Sequence, residues 1–262
     1  MMGPVLVIMF VVLVALIFVS RWCWPLPPQV GTLKTPALLI KGEASVFTVG
    51  TFNIHRARGL DGRKDLARVA QVVGACDVTG LQEVEGVTLF HRQSQAARLA
   101  KQLQCEAHFS PTRVRAFFPE RGNALLSQWS ITAWHRQPLV RARLRGKGYR
   151  NFTEYTVQVG GQPVVLINTH LSKPDGKNTG LEQIVAAFMR HERAVLMGDF
   201  NRPPGHESFA RLYDAGVIDA LSSEDNQRVD HIFVRGFQVL SAWALPPGPS
   251  AHPFFAARLS LS

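Results

Sequence analysis

Several short apolar runs of this 262-residue chain end in a polar side chain that could bind a metal ion or a phosphate. The set comprises amides, carboxylates and imidazoles, and its members are Asn53, Glu83, His170, Asp199, Asn201, Asp230 and His252. Each one alone is weak evidence, because Asp and Asn at the end of a strand are usually turn formers or helix caps. As a group at strand ends, they predict one chemical site.

The spacing of Asp199 and Asn201 supports this grouping. Residues i and i+2 of an extended segment point to the same side, so a carboxylate that polarises a water and an amide that holds a phosphate oxygen would reach one site. Glu83 lies in the otherwise apolar run GLQEV. Its carboxylate suits Mg²⁺, which needs only one or two carboxylates plus substrate phosphate. Such a site carries out Lewis-acid cleavage of phosphoesters.

Strands and helices in alternation must position these side chains. Runs rich in β-branched and aromatic residues predict strands, and apolar residues three and four positions apart predict helices. The predicted strands are 46–52, 78–84, 124–126, 152–159, 164–168, 194–197, 229–234 and 254–261, and the predicted helices are 64–74, 89–103 and 181–190. This dense mixture predicts an α/β protein whose sheets are covered by helices.

The chain before residue 45 differs in composition from the rest. Its first 20 residues contain no charged residue, and about 20 apolar residues span a bilayer core. Residues 1–24 therefore predict a single-pass anchor, with a cleaved signal peptide as the alternative. Arg21, Lys34 and Lys41 follow the span, so the positive-inside rule places the remainder in the cytoplasm. Residues 25–44 predict a proline-rich linker, and residues 45–262 predict the catalytic domain.

The charge balance is strongly basic, with 29 Lys and Arg against 19 Asp and Glu and a formal net charge of +10. It predicts an anionic partner, such as nucleic acid, phospholipid headgroups or a phosphorylated small molecule. Six of the cations lie within residues 136–150 without an acid among them. This run predicts either a phosphate-contacting patch, to which Arg113, Arg115 and Arg121 would add, or a solvated loop. The absence of a G-x-x-x-x-G-K-[ST] loop argues against ATP-driven chemistry.

Seven motifs, in order, resemble the endonuclease/exonuclease/phosphatase superfamily. They are TFNIH, GLQEV, RGNALLS, INTHLS, MGDFN, VDHIFV and a terminal Ser-x-His at 250–252. The resemblance covers about residues 45–262. It implies a deoxyribonuclease I-like fold, which is a four-layer α/β/β/α sandwich of two mixed sheets. It also implies hydrolysis of phosphoester bonds with Mg²⁺, or alternatively Mn²⁺.

The resemblance further implies a role for each site residue. Glu83 would be a direct metal ligand, with Asn53 beside it, and Asp199 would position or deprotonate the attacking water. The remaining residues would act on the phosphate: His252 and His170 would face it, Asp230 would orient a histidine and raise its pKa, and Asn201, Asn123 and Arg150 would contact phosphate oxygens.

One position departs from the family pattern. The family usually ends its site with Ser-Asp-His, where the Asp contributes to the metal site, but this chain has Ser250-Ala251-His252. The sequence predicts a membrane-tethered, Mg²⁺-dependent phosphodiester hydrolase, either a nuclease or a phospholipid-headgroup phosphodiesterase, and indicates no protein partner. Two alternatives stay open. One is a phosphomonoesterase acting on small or inositol phosphates, and the other is a catalytically impaired phosphoester-binding protein.

Overall fold

The computed structural model describes residues 3–21, 23–33, 45–88, 91–115, 120–139, 148–174 and 179–261. The helices are α1 (Pro4–Arg21), α2 (Leu66–Val73), α3 (Gln95–Leu103), α4 (Thr179–Phe188) and α5 (Ala210–Asp214). Short 3₁₀ turns occupy His55–Ala57 and Glu207–Phe209. The strands are β1 (Cys23–Pro25), β2 (Gln29–Gly31), β3 (Val46–Asn53), β4 (Val78–Glu85), β5 (Glu106–Arg115), β6 (Arg121–Ser127), β7 (Ile131–Pro138), β8 (Asn151–Val159), β9 (Gln162–His170), β10 (Ala194–Asp199), β11 (Ile218–Asp219), β12 (Asp230–Arg235), β13 (Phe237–Leu245) and β14 (Phe254–Leu261).

The strands form two seven-stranded mixed sheets. The first sheet has the order β1-β5-β6-β4-β3-β14-β13, and the second has the order β11-β12-β10-β9-β8-β7-β2. Within the first sheet β3 and β4 run parallel, and within the second sheet β9 and β10 run parallel. The carboxyl ends of each parallel pair therefore lie at one edge of their sheet, where polar side chains can meet.

Three apolar layers hold the sheets and helices together. Side chains of both sheets, including Phe47, Leu125, Tyr155 and Met197, form a core between the sheets. A second cluster packs α2 and α3 on the outer face of the first sheet, and a third packs α4 and α5 on the outer face of the second. The four-layer α/β/β/α sandwich implied by the resemblance is thus confirmed.

Side-chain caps fix where the helices of the first sheet begin. The Asp65 carboxylate accepts hydrogen bonds from the backbone N–H groups of Ala67 and Arg68 at the start of α2. The Ser94 hydroxyl accepts from Ala97 N at the start of α3. These bonds satisfy N–H groups that have no partner within the helix. They explain why both helices begin later than residues 64 and 89, where the apolar spacing alone places them.

Three of the longer strands, β5, β7 and β13, were not predicted from the sequence. Each lies at or next to a sheet edge, so part of its surface faces solvent and its sequence carries polar residues. β5 and β7 also contain a proline. Strands in the middle of the sheets are buried on both faces and read as continuous apolar runs. The prediction therefore succeeded best at the centre of each sheet.

The N-terminal helix corrects the prediction of a membrane anchor. Its apolar part, residues 4–19, is about 24 Å long at 1.5 Å per residue, whereas a bilayer core is roughly 30 Å thick. Within the described part of the chain, no helix combines the length and the apolarity needed to cross a membrane. The predicted single-pass anchor and the localisation that depended on it are therefore wrong, and membrane association through this helix is not supported.

Two short edge strands lie around the start of the predicted linker: β1 ends at its first residue, Pro25, and β2 lies within it. β1 pairs with β5 at the edge of the first sheet, and β2 pairs with β7 at the edge of the second. Prolines are tolerated at such edges, because the missing N–H faces away from the ladder. Arg136 Nη2 on β7 also donates to Pro27 O (3.2 Å) and Gln29 Oε1 (2.8 Å). This arginine of the predicted basic patch therefore holds the segment between β1 and β2.

Candidate active site

The register of the second sheet places Asp199 between two other predicted site residues. Asp199 is the last residue of β10, opposite His170 on parallel β9 and opposite Asp230 on antiparallel β12. All three side chains are buried. Gly198, just before Asp199, has φ +149°, and a Cβ there would collide with the Thr169 carbonyl oxygen. A glycine is therefore needed to bring the end of β10 this close to β9.

The Asp199 carboxylate is the centre of the hydrogen-bond network. Asn53 Nδ2 donates to Oδ2 (2.9 Å), and the backbone N–H of Asn201 donates to Oδ1 (2.9 Å). Burial, together with the negative charge of Asp230, raises the pKa of Asp199 to about 6, although the hydrogen bond from Asn53 acts in the opposite direction. Asp199 is therefore an ionised carboxylate at neutral pH whose basicity exceeds that of an exposed Asp.

His252 forms an ion pair with Asp230. The distance from Nδ1 to Asp230 Oδ2 is 2.9 Å, while Nε2 lies 3.9 Å from Asp199 Oδ2. Burial lowers the pKa of His252, but the hydrogen bond to Asp230 and the charges of the neighbouring carboxylates outweigh burial and raise the pKa to about 9. His252 is therefore an imidazolium at neutral pH, and its Nε2–H points toward the Asp199 side of the site.

The serine of the terminal motif fixes this histidine. Ser250 Oγ donates to the carbonyl oxygen of Asn53 (2.6 Å) and accepts from the backbone N–H of His252 (3.3 Å). The hydroxyl thereby ties the end of β3 to the segment before β14. Sequence reasoning gave Ser250 no role of its own, although the Ser-x-His pattern contained the signal.

His170 is neutral, in contrast to His252. Burial and the positive charge of Arg150 hold the pKa of His170 well below its ordinary value. Arg150 Nη1 lies 3.3 Å from Nδ1 of His170, so Nδ1 accepts and Nε2 carries the proton. Nε2 is 3.4 Å from Asp199 Oδ2, and Asn201 Nδ2 lies 3.4 Å from the same nitrogen. His170, Arg150 and Asn201 therefore form one side of the site around Asp199.

Glu83 lies at a break in the first sheet. The ladder between β4 and β6 is interrupted between Leu81 and Val84, and Glu83 has a left-handed backbone with φ +54°. Strained residues of this kind at a bulge often re-aim a side chain at a functional site. The charge of Glu83 acts on both His252 and Arg150, which places the carboxylate at the same site.

The residues present fit a hard divalent cation. Among the described residues no group donates a hydrogen bond to the Glu83 carboxylate, so its oxygens are available to a cation. Ligand atoms of Asp199, Asp230 and His252 also lie within 4.8 Å of one another. Since His252 is protonated through Asp230, the oxygen donors are the better candidates. Oxygen donors are the ligands that Mg²⁺ prefers.

Two parts of the predicted site are not joined to the Asp199 network. Asn123 is buried on β6, and its Nδ2 donates to Asn151 Oδ1 (3.2 Å) rather than to any other predicted site residue. Of the predicted basic patch, residues 140–147, which include Arg141, Arg143, Arg145 and Lys147, lie outside the described residues.

A buried amide network supports the site from below, and sequence reasoning missed its role. Gln82 Nε2 in the first sheet donates to Asn168 Oδ1 in the second (2.8 Å). Asn168 Nδ2 in turn donates to the carbonyl oxygens of Leu81 (3.1 Å) and Ala124 (2.8 Å). These bonds join the two sheets beneath the site residues. In the sequence, Gln82 directly precedes Glu83 in GLQEV, and Asn168 lies two residues before His170 in INTHLS.

Two mixed sheets with this carboxylate–histidine group at their strand ends define the class of deoxyribonuclease I-like α/β sandwiches. Residues 50–252 match the Endonuclease/Exonuclease/phosphatase family, and the chain belongs to this family. Its members are hydrolases that act on phosphoester bonds. No curated protein matches the chain in sequence.

Solved structures support the fold. An endonuclease/exonuclease/phosphatase from Beutenbergia cavernae is 22% identical with a TM-score of 0.70, over 83% of this chain and 72% of that one. A mannosyl-6-phosphatase from Bacteroides thetaiotaomicron is 18% identical with a TM-score of 0.63, over 82% and 100%. The catalytic domain of human Nocturnin, with a bound sulfate anion, is 17% identical with a TM-score of 0.63, over 90% and 97%. At these identities the similarity establishes the fold alone.

Proposed function

We propose that this chain is a Mg²⁺-dependent phosphodiester hydrolase, with Mn²⁺ as a possible substitute. The observation that carries the proposal is the environment of Asp199. A buried carboxylate is held by Asn53 and Asn201 through hydrogen bonds of 2.9 Å, between a neutral histidine and an imidazolium. This arrangement combines a proton acceptor with donors for a negatively charged phosphate.

Each residue has a role that follows from its charge. Asp199 orients the attacking water and accepts its proton, because the pKa of about 6 leaves it ionised but basic at neutral pH. His252 donates its Nε2–H to a phosphoryl oxygen, since Asp230 keeps the imidazole protonated. Arg150 and Asn201 add donors on the opposite side. Such preorganised donors stabilise the charge that develops on the phosphoryl oxygens.

Glu83 and Asn53 would hold the metal ion. When bound, the ion supplies Lewis-acid stabilisation of the phosphoryl group. The family usually has an Asp at position 251 that adds a carboxylate to this site, and this chain has Ala251 instead. Glu83 is therefore the main carboxylate proposed to bind the metal ion. The same substitution motivates the alternative of a phosphoester-binding protein without turnover. Hydrolysis assays distinguish this alternative from an active hydrolase.

The substrate class is a phosphodiester of nucleic acid or of an anionic phospholipid. The net charge of +10 favours either anion. The phosphomonoesterase alternative is kept because one protein of the same fold is a mannosyl-6-phosphatase. Activity on bis(4-nitrophenyl) phosphate and on 4-nitrophenyl phosphate distinguishes diester from monoester preference.

The test is hydrolysis of bis(4-nitrophenyl) phosphate by the full-length chain with Mg²⁺, with Mn²⁺ and with EDTA. We expect metal-dependent turnover that falls by about a hundredfold or more in Asp199→Ala, since general-base catalysis contributes at least that much. Asp214→Ala is the matched control, because Asp214 is an exposed carboxylate on α5.

Turnover that is equal in Asp199→Ala and in the unaltered chain would reveal a contaminating hydrolase and contradict the proposal. No turnover on either ester with either metal, from a folded protein, would favour the phosphoester-binding alternative. Preference for the monoester would replace phosphodiesterase by phosphomonoesterase.

A further inference from the structure

A pair of arginines stands opposite each other next to the bulge that carries Glu83. Arg113 on β5 and Arg121 on β6 are direct partners in the antiparallel ladder between these strands. Arg113 is only 8% exposed. Like charges directly opposite each other destabilise a sheet. Strand pairing alone would therefore disfavour two arginines at these opposite positions.

A third arginine comes from the turn after β3. Arg56 has a left-handed backbone with φ +63°, and Gln95 Nε2 donates to its carbonyl oxygen (2.9 Å), which holds the turn in place. Burial and the charges of Arg56 and Arg113 lower the pKa of Arg121. The Arg121 guanidinium is therefore close enough to Arg56 and to Arg113 to be repelled by both.

Among the described residues, neither Glu85 nor Glu83 forms an ion pair with Arg121. Glu85 lies opposite Arg121 on β4, but its carboxylate is held by Lys64 Nζ at 2.7 and 3.0 Å. Glu83, the other acid that acts on Arg121, is the residue proposed to hold the metal ion. The Nε atoms of Arg56 and Arg121 are buried and hydrogen-bond to no atom of the described residues. These two donors are therefore available to an anionic ligand.

The arginine cluster borders the Asp199 site. Arg113 and Glu83 both act electrostatically on Arg150, which contacts His170. A ligand held by the cluster would therefore extend from the phosphate position at Asp199.

We propose that Arg56, Arg113 and Arg121 form a second phosphate-binding subsite, so that the substrate carries another phosphate group next to the scissile phosphoester. Guanidinium groups bind phosphate through paired, charge-assisted hydrogen bonds. The inference rests on the proposed hydrolase function and defines its substrate class. The next phosphate of a nucleic-acid strand and the second phosphate of a small bisphosphorylated ester share this chemistry.

The activity test compares two phosphodiesters that differ by one phosphate. The substrates are thymidine 5′-(4-nitrophenyl phosphate) with and without a 3′-phosphate. We expect the 3′-phosphorylated substrate to have a kcat/KM about tenfold higher or more, since each charge-assisted hydrogen bond contributes on that order. In Arg121→Gln and in Arg56→Gln, the ratio between the two substrates should fall toward one. Arg211→Gln, the same change on the exposed surface of α5, should keep the ratio.

A binding test without metal is independent of turnover. Inorganic phosphate should raise the Tm of the unaltered chain and of Arg211→Gln, because a ligand that binds the folded state stabilises it. The rise should be smaller in Arg121→Gln and in Arg56→Gln. Inhibition of hydrolysis by thymidine 3′,5′-bisphosphate and by a short oligothymidylate then distinguishes the two sources of the second phosphate. Stronger inhibition by the bisphosphate identifies a small ester as the substrate, and stronger inhibition by the oligothymidylate identifies a nucleic-acid strand.

The outcomes separate this inference from the proposed function. Hydrolysis of both substrates at equal kcat/KM, with the same phosphate response in all variants, would overturn the subsite and leave the hydrolase standing. A preference that survives both arginine substitutions would also overturn it. A phosphate response that depends on Arg56 and Arg121, without hydrolysis of either ester, would support the subsite and contradict the hydrolase.

Discussion

The contact between Asp230 and His252 keeps the histidine charged. The ion pair of 2.9 Å between them lies beside a second carboxylate, Asp199. Two carboxylates opposite each other on neighbouring strands repel, and the imidazolium relieves part of this repulsion. The site therefore needs the proton on His252 for its own stability as well as for phosphate binding.

We expect Asp230→Asn to lower the pKa of His252 from about 9, because the amide removes both the acceptor charge and the strongest raising contact. NMR titration of the imidazole protons in the metal-free protein measures the change. The exposed His91 serves as an internal reference, since it lies outside this network. A His252 pKa that stays near 9 in the variant would show that Asp230 is not the source of its charge.

A second test at the residue scale restores the missing acid. Ala251 follows the anchored Ser250 and is exposed beside His252. We expect Ala251→Asp to lower the Mg²⁺ concentration for half-maximal hydrolysis by roughly fivefold, since one added charge near a cation contributes on the order of 1 kcal/mol. Ala251→Asn is the matched control of equal size without charge. Equal metal requirements in the two variants would show that position 251 does not reach the metal.

At the scale of elements, one histidine joins the two sheets. His108 on β5 stacks on Trp134 of β7 with ring centroids 4.2 Å apart, and its Nδ1 lies 3.2 Å from the Tyr155 hydroxyl on β8. Burial, with the nearby positive charge of Arg136, lowers the pKa of His108 to about 4. The interface between the sheets at this point therefore requires a neutral imidazole.

This histidine predicts a specific acid sensitivity. The unfolded chain binds a proton at His108 below about pH 6.5 and the folded chain does so only below about pH 4, so stability falls as pH decreases through this window. We expect a loss of about 2–3 kcal/mol in the free energy of unfolding that His108→Gln does not show. Urea unfolding of both proteins at pH 7 and pH 4 measures it. Parallel losses in the two proteins would contradict the assignment.

The elements also show how far sequence reasoning reaches. The motifs TFNIH and MGDFN predicted Asn53 and Asp199 as site residues. In each motif the polar residue ends an apolar run that forms a buried strand. The bulge at Glu83 and the pairing of Asp199 with Asp230 could not be predicted, because both depend on the register between strands far apart in sequence. Register is set by the packing of whole sheets, which no local pattern encodes.

At the scale of the molecule, the net charge of +10 predicts a salt-dependent association with anionic polymers. We expect a short oligothymidylate to inhibit hydrolysis of bis(4-nitrophenyl) phosphate, with an inhibition constant that weakens roughly tenfold or more between about 50 and about 200 mM salt. Uninhibited kcat/KM for the monoanionic ester should change little over the same range. Inhibition that does not respond to salt would argue against polymer binding through this charge.

The two short strands before residue 45 have a consequence for how the protein can be handled. Because β1 pairs with three residues of β5 and β2 pairs with three residues of β7, they cover parts of two rows of backbone N–H and C=O groups that would otherwise be open to neighbouring chains. Exposed strand edges of this kind are templates for aggregation. A recombinant form that begins at residue 45 would keep every residue of the Asp199 site yet leave both rows uncovered. A shortened form should therefore begin before Cys23.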